Sequence, residues 1–314
     1  MNAAEHPATV VVAVDGTERS AGAVRYAVHE ARRRRTDLRV VHVAPATLPV
    51  GGSMPYMNYP REALVDVARE ILDKAVAAAR ESAPDLRVDG VLRQGRRVAE
   101  LVAAAAPGSL LVLGRETRHG IDRVYVGSTT AGVAARATVP VAVVDRDWQP
   151  SERGRVLVGV EPASAEVLAY AFPLAAARHA LLQVRHVWKV PDPYAALDRE
   201  RAVTGEWVVA ATRLLESTVA DWRDSFPDVE VEIGVVPGRP AQELVDAAAG
   251  ADVLVLARRR RDLEHLGRLG PTTRAVLGHA GTPVEVVPLT GVPKHAPLVL
   301  ERFGEVLKSW PESL

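Results

Sequence analysis

Cysteine is absent from all 314 residues. That single absence excludes disulfide staples, thiolate zinc centres and a cysteine nucleophile. Aromatic residues make up only 4% of the chain, so core packing falls to alanine, valine and leucine. Neither charge sign is in excess: Lys+Arg and Asp+Glu each total 39, and neither half departs far from balance. A nucleic-acid binder needs a basic face well beyond this, and a membrane-surface role is equally disfavoured. No apolar run approaches the roughly 18 residues needed to span a bilayer. The opening MNAAEHPATV has no charged and apolar regions of a secretory signal. The expectation is a cytoplasmic chain. Catalytic signatures are missing as well. No HExxH metal pattern, no G-x-S-x-G elbow and no G-x-x-x-x-G-K-[ST] phosphate loop occurs. No residue can be named as a catalyst for fast phosphoryl transfer.

What the chain does have is an internal repeat. VVVAVDG at Val10–Gly16 returns as VLVGVEP at Val156–Pro162, and RVVHV at Arg39–Val43 returns as QVRHV at Gln183–Val187. QGRRVAELVAAAA from Gln94 returns as PGRPAQELVDAAA from Pro237. LLVLG ending at Gly114 returns as VLVLA ending at Ala257, and TVPVAVV returns as GTPVEVV. The offset stays between 143 and 146 positions. The implied plan is a domain over residues 1–148, a second over 152–290, and a C-terminal extension over 291–314. A polar linker carrying Pro150 and Gly154 joins the two domains.

In the first copy, valine-rich strands fall near residues 9–15, 38–44, 87–92, 109–114 and 140–145. Helical periodicity falls near 18–34, 61–82, 96–106 and 128–136. In the second of these helices, Leu64, Val67, Ala68, Ile71, Ala75 and Ala78 mark the expected apolar face. Strand and helix alternate, and the strands are continuously apolar. That predicts a parallel α/β sheet covered by helices on both faces, with ligands beyond the carboxyl ends of the strands.

Three places reach those ends. Asp15 closes the first strand, Gly114 closes the fourth, and Gly127-Ser128-Thr129-Thr130 opens a helix. A helix start offers free N–H groups and the positive end of the dipole, which suits phosphate. Glycine permits close backbone approach, the hydroxyls add donors, and Asp15 suits an amine or a ribose hydroxyl. The same Gly-Ser-Thr run also suits a plain helix N-cap, and Asp15 suits a plain turn. Both alternatives stand at this level.

In its ordered motifs the chain resembles the universal stress protein family, as a tandem pair covering all but the tail beyond about Thr290. The opening strand with Asp15, VVHV, the glycine–AEL segment at Gly95–Leu101, the glycine loop and VPVAVV carry the likeness. The resemblance implies two tandem open five-stranded parallel sheets, Rossmann-like, in the order 3-2-1-4-5. It also implies ATP or a related adenine nucleotide, with Mg²⁺, in the first copy. Ala13, Asp15, Val43 and Leu113 would then surround adenine and ribose, with Gly114, Thr117, Gly127, Ser128, Thr129 and Thr130 on the phosphate side. Thr117 stands where the family loop has its middle glycine. In the second copy Glu161, Ala257, Arg260 and Pro271 replace the aspartate, both glycines and the hydroxyl residue. Proline removes a backbone N–H, so no cofactor is expected there.

The functional expectation is a cytoplasmic stress-response regulator that binds an adenine nucleotide in its N-terminal domain. A nucleotide-free interaction scaffold and a slow ATP-hydrolysing enzyme are the alternatives. The family habit of pairing closing strands implies a homodimer or an intramolecular domain pair, and a protein partner for the regulator. His42 and His186 read as core or subunit-contact residues, and Arg32–Arg35 as a solvated helix end. Arg258–Arg261 reads as a charged loop, and Pro45–Pro60 as a loop after the second strand. Val299, Phe303, Val306, Leu307 and Trp310 mark a short amphipathic helix that docks on the body or on a partner.

Overall fold

A computed structural model of the chain describes residues 9–45, 61–115, 126–161, 165–189, 206–258 and 268–289. The first repeat runs β1 (Val10–Val14), α1 (Ser20–Arg34), β2 (Leu38–Ala44), α2 (Arg61–Ser82) and β3 (Val88–Gln94). It continues through α3 (Arg97–Ala105), β4 (Leu110–Arg115), α4 (Ser128–Ala134) and β5 (Val141–Asp145). The second repeat runs β6 (Arg155–Gly159), a 3-10 turn at Ala165–Val167, α5 (Leu168–Arg178), β7 (Leu181–Lys189) and α6 (Glu206–Ser225). Then come β8 (Val231–Gly238), α7 (Pro240–Ala248), β9 (Val253–Arg258), α8 (Pro271–His279) and β10 (Val284–Pro288). The chain divides into two compact units. One is Met1–Ser151 with Arg261–Pro288, and the other is Glu152–Arg260 with Leu289–Leu314. Thus α8 and β10 belong by sequence to the second repeat and by packing to the first unit. The expected C-terminal amphipathic helix and most of the Pro45–Pro60 loop lie outside the described residues.

In the first unit the strands lie in the order β3-β2-β1-β4-β5, followed by β10. The pairings among β1 to β5 are all parallel, as the sequence predicts. In the second unit β9, β6, β7 and β8 are adjacent in that order and parallel. Strand residues are buried on both faces. Val10, Val12, Leu38, Val40, Leu110 and Val112 join one core with residues of α1 and α2. Val11, Val41 and Leu111, of opposite parity, are equally buried. α1 and α2 pack on each other and on the sheet, and so do α3 and α4. Two-sided burial is what continuous valine runs require.

The apolar stripe of α2 departs from expectation. Val67 is 54% exposed and Ala78 is also exposed. The buried row is Ala68, Leu72, Val76 and Ala79. Two apolar stripes overlap in this helix, and the one carrying Leu72 and Val76 wins. Those side chains fill the space above Gly90, where a Cβ would stand 2.9 Å from Val76 Cγ2.

β10 pairs antiparallel with β5, with Val284 opposite Val143, Glu285 opposite Ala142 and Val286 opposite Val141. Of the two arrangements left open by sequence, the closing strands therefore pair within the chain. Ala142 is Glu285's own counterpart in the repeat, so the pairing is close to symmetric. Pairing also removes the free edge of β5. Tyr26 and Glu285 are both 0% exposed, and the Tyr26 hydroxyl donates to Glu285 Oε1 at 2.7 Å. A buried carboxyl needs such a donor.

α1 ends on Arg35 in the left-handed region, at φ 51° and ψ 49°. There Thr36 N donates to Ala31 O at 3.0 Å. Glycine adopts this geometry without Cβ strain. Arg35→Gly should raise stability by about 0.5–1 kcal/mol, read as a higher urea midpoint at unchanged slope.

Candidate functional site

β1, β2 and β4 are neighbours and parallel, so their carboxyl ends form one rim. Ala13 is paired with Val41 on the adjacent strand, and Val43 with Arg93. Leu113 and Gly114 are paired with Val143 and Val144. The structure thus gathers Ala13, Asp15, Val43, Leu113 and Gly114 along that rim. Val43 and Leu113 are buried. α4 follows β4 and packs on β4 and β5, so its first residues rise from the same side of the sheet. Thr117 lies outside the described residues.

Asp15 is exposed but held firmly. Its Oδ1 accepts from Thr17 N at 3.0 Å, Thr17 Oγ1 at 2.7 Å and Ser20 Oγ at 2.9 Å. Its own N–H donates to Ser20 Oγ at 3.1 Å. Partial burial alone would raise its pKa. The Thr17 and Ser20 hydrogen bonds and the Arg19 charge outweigh that effect and hold the carboxyl below its ordinary value. The group is therefore an ionised acceptor at neutral pH. All its recorded bonds use Oδ1, which leaves Oδ2 open among the described residues. Gly16 follows at φ 79°, and a Cβ there would meet Ile71 Cδ1 at 2.8 Å. Here glycine is required both by dihedral and by space. The turn reading and the acceptor reading of Asp15 are therefore compatible. Thr17 and Ser20 were not singled out from sequence, although the D-G-T-E-R-S run carries them.

The glycines flanking the loop have different physical reasons. At Gly114 a Cβ would stand 2.4 Å from Arg19 O. Its small size serves the packing of the α1 start against β4. At Gly127 φ is −52° and ψ is 144°, a region open to any L residue. The nearest atom to an added Cβ is Thr130 Oγ1, at 4.0 Å. Among the described residues, neither backbone nor packing asks for glycine there. Gly127 is the N-cap of α4, and no side chain caps the helix. The Gly-Ser-Thr run therefore does form the helix N-cap, through Gly127, with Ser128, Thr129 and Thr130 in the first turn, and the phosphate reading stands beside that role. The first helical bond runs from Ala131 N to Gly127 O, which leaves the preceding amides without intrahelical partners.

The second repeat keeps the frame and changes the contents. Gly270 is the N-cap of α8 at φ −61°, with Pro271 at the first helical position. Proline presents no N–H where Ser128 does. The histidines match between copies. His42 Nδ1 lies 2.8 Å from Val14 O, and His186 Nδ1 lies 3.1 Å from Val160 O. A carbonyl only accepts, so Nδ1 carries the proton in both rings. Each histidine thereby ties the second strand of its repeat to the end of the first; His42 is buried, as one of its expected readings has it, while His186 is half-buried.

Desolvation by burial lowers the His186 pKa, and the bond to Val160 offsets part of that. The unfolded chain then binds more protons than the folded one in this range. Stability should fall as pH drops from about 6.5 through the lower folded value. Melting at pH 7.5 and 5.5 reads this, and the difference should shrink in His186→Gln.

The universal stress protein family matches residues 8–145 and 152–288. The chain belongs to that family, as a tandem of two such domains. A universal stress protein of Mycolicibacterium smegmatis is 30% identical over 288 residues, covering 88% of this chain and 96% of that one. A universal stress protein of Mycobacterium tuberculosis is 30% identical over 292 residues, with the same coverage. Among solved structures, a universal stress protein from Archaeoglobus fulgidus aligns with TM-score 0.67 at 19% identity. It covers 89% of this chain and 98% of its own. No helix among the described residues is long and apolar enough to cross a membrane.

Proposed function

We propose that the first repeat binds ATP or a related adenine nucleotide across the carboxyl ends of β1, β2 and β4 and the opening of α4. The protein then acts as a cytoplasmic stress-response regulator whose surface depends on occupancy. The observation that carries this reading is Gly127: a glycine that, among the described residues, neither backbone nor packing requires, capping a helix whose first amides have no intrahelical partner. Phosphate oxygens are the groups that such a start takes. Ala13, Val43 and Leu113 supply the apolar wall for the base. Asp15 Oδ2 accepts from a ribose hydroxyl or an exocyclic amine. Thr117 completes the phosphate side in this reading. In this reading Mg²⁺ would accompany the nucleotide, bound through its phosphates.

Domains at 1–148 and 152–290 divide the labour, the first binding and the second supporting. The second site has lost an N–H to Pro271 and replaced Asp15 with Glu161. Protein purified from its native source and denatured should release one adenine nucleotide per chain, identified by mass spectrometry. Protein that carries none, and whose melting temperature stays fixed with added ATP, would return the function to a nucleotide-free scaffold. Occupancy alters a surface only through differential affinity for two conformations. A partner should therefore distinguish the ATP-loaded from the empty chain.

A further inference from the structure

We propose that Arg115 is a positioning residue, through which helix α8 of the second repeat fixes the β4 end of the first repeat's nucleotide site. This inference rests on the nucleotide reading above, but its geometry stands by itself. Arg115 immediately follows Gly114 and is only 6% exposed. Its Nη1 donates to Leu277 O at 3.2 Å and to Ala280 O. Its Nη2 donates to Asp145 Oδ2 at 2.7 Å. One guanidinium therefore joins three chain segments: the end of β4, the end of β5 and the C-terminus of α8. Asp145 is Arg115's cross-strand neighbour in the β4–β5 register. Its other oxygen accepts from Asp147 N at 3.0 Å, so the carboxylate is itself held.

The chemistry suits the place. The last carbonyls of a helix lack intrahelical donors and carry the negative end of the dipole, which favours a cation. Only the planar fork of arginine reaches two carbonyls and a carboxylate at once; a lysine ammonium is a single point donor. Burial makes the arrangement stiff, because a desolvated guanidinium cannot exchange these partners for water at low cost. The repeat adds a second observation. Arg258 occupies the matching place at the end of β9, where burial lowers its pKa. Asp145, however, is matched by Pro288. The position of Asp145, whose carboxylate completes the clamp in the first repeat, thus carries no acid in the second.

The consequence is a role for the second repeat that needs no ligand of its own. α8, whose Pro271 start is unsuited to phosphate, uses its other end to set the chain next to Gly114. A change that moves α8 would then alter nucleotide affinity in the first repeat.

The test compares full-length wild type with Arg115→Met, Arg115→Lys and Asp145→Asn. Two readouts are taken under conditions where each chain is folded by circular dichroism. In ligand-free protein, hydrogen exchange at the amides of residues 113–115 and 126–131 should quicken by roughly tenfold in Arg115→Met, with β7 and β8 unchanged. ATP affinity should fall by roughly tenfold, through lost preorganisation. Arg115→Lys should rescue neither. Unchanged local exchange would overturn the clamp. Faster exchange with unchanged affinity would overturn its positioning role. Equal acceleration throughout the chain would reduce Arg115 to a general stabiliser. If Arg115→Met does not fold, Arg115→Lys and Asp145→Asn carry the same comparison. If wild type binds no ATP in calorimetry, the nucleotide reading fails separately, and local exchange alone still decides whether the clamp exists.

Discussion

Gly127→Asp should abolish nucleotide binding while leaving the empty protein as stable as before, or slightly more so. The two halves of this expectation have opposite signs, which makes it discriminating. The backbone at φ −52° and ψ 144° accepts any L residue. Among the described residues an added Cβ meets nothing closer than Thr130 Oγ1 at 4.0 Å. Aspartate is moreover a better N-cap than glycine by a few tenths of a kcal/mol, because its carboxylate accepts from the first-turn amides. In doing so it takes the donors that phosphate needs and adds a like charge beside it. Like-charge juxtaposition of about 3 kcal/mol corresponds to roughly a hundredfold in affinity. Thermal melting without ligand and titration with ATP give the two readings. A destabilised empty variant would mean that Gly127 serves the fold, and the principal support for the site would be gone.

Gly114→Ala should do the reverse. An added methyl would lie 2.4 Å from Arg19 O and 3.0 Å from Arg19 C, and both are backbone atoms. The start of α1 has to move away from β4, at a cost of about 1–3 kcal/mol or more. The same shift disturbs Ser20, which holds Asp15 through its hydroxyl. A lower denaturant midpoint in ligand-free protein is the expected result, with weaker nucleotide binding as a consequence rather than a cause. If Gly114→Ala melts like wild type and only binding falls, Gly114 belongs with Gly127 as a ligand-facing residue.

The contrast between these glycines shows what sequence could and could not supply. Valine-rich runs and helical periodicity located the elements of the first repeat closely, since two-sided burial leaves no polar face to confuse the pattern. α2 matched its expected range of 61–82, although the buried stripe went to Leu72 and Val76 rather than Val67. That the candidate residues would share one rim was legible, because parallel strands place their carboxyl ends together. The reason for each glycine was not, because Arg19 O and Ile71 meet Gly114 and Gly16 only after helices dock. Tyr26 and Glu285 are 259 positions apart, so nothing local in GTPVEVV announces a buried acid with a donor. Arg115 likewise looks like any loop-edge arginine until α8 arrives from the other repeat. Arg35 read correctly as a basic helix end, while its left-handed backbone left no mark in composition.

The central claim is one adenine-nucleotide site in the first repeat and none in the second. Isothermal titration of the full chain with ATP tests it most directly, using wild type, Gly127→Asp and Gly270→Asp side by side. Among the described residues Gly270 has nothing within 4 Å of an added Cβ, so both substitutions should be comparably easy on the fold. The account predicts one ATP per chain in wild type, none in Gly127→Asp, and an unchanged single site in Gly270→Asp. Two sites in wild type, or a site lost through Gly270→Asp and kept through Gly127→Asp, would contradict it.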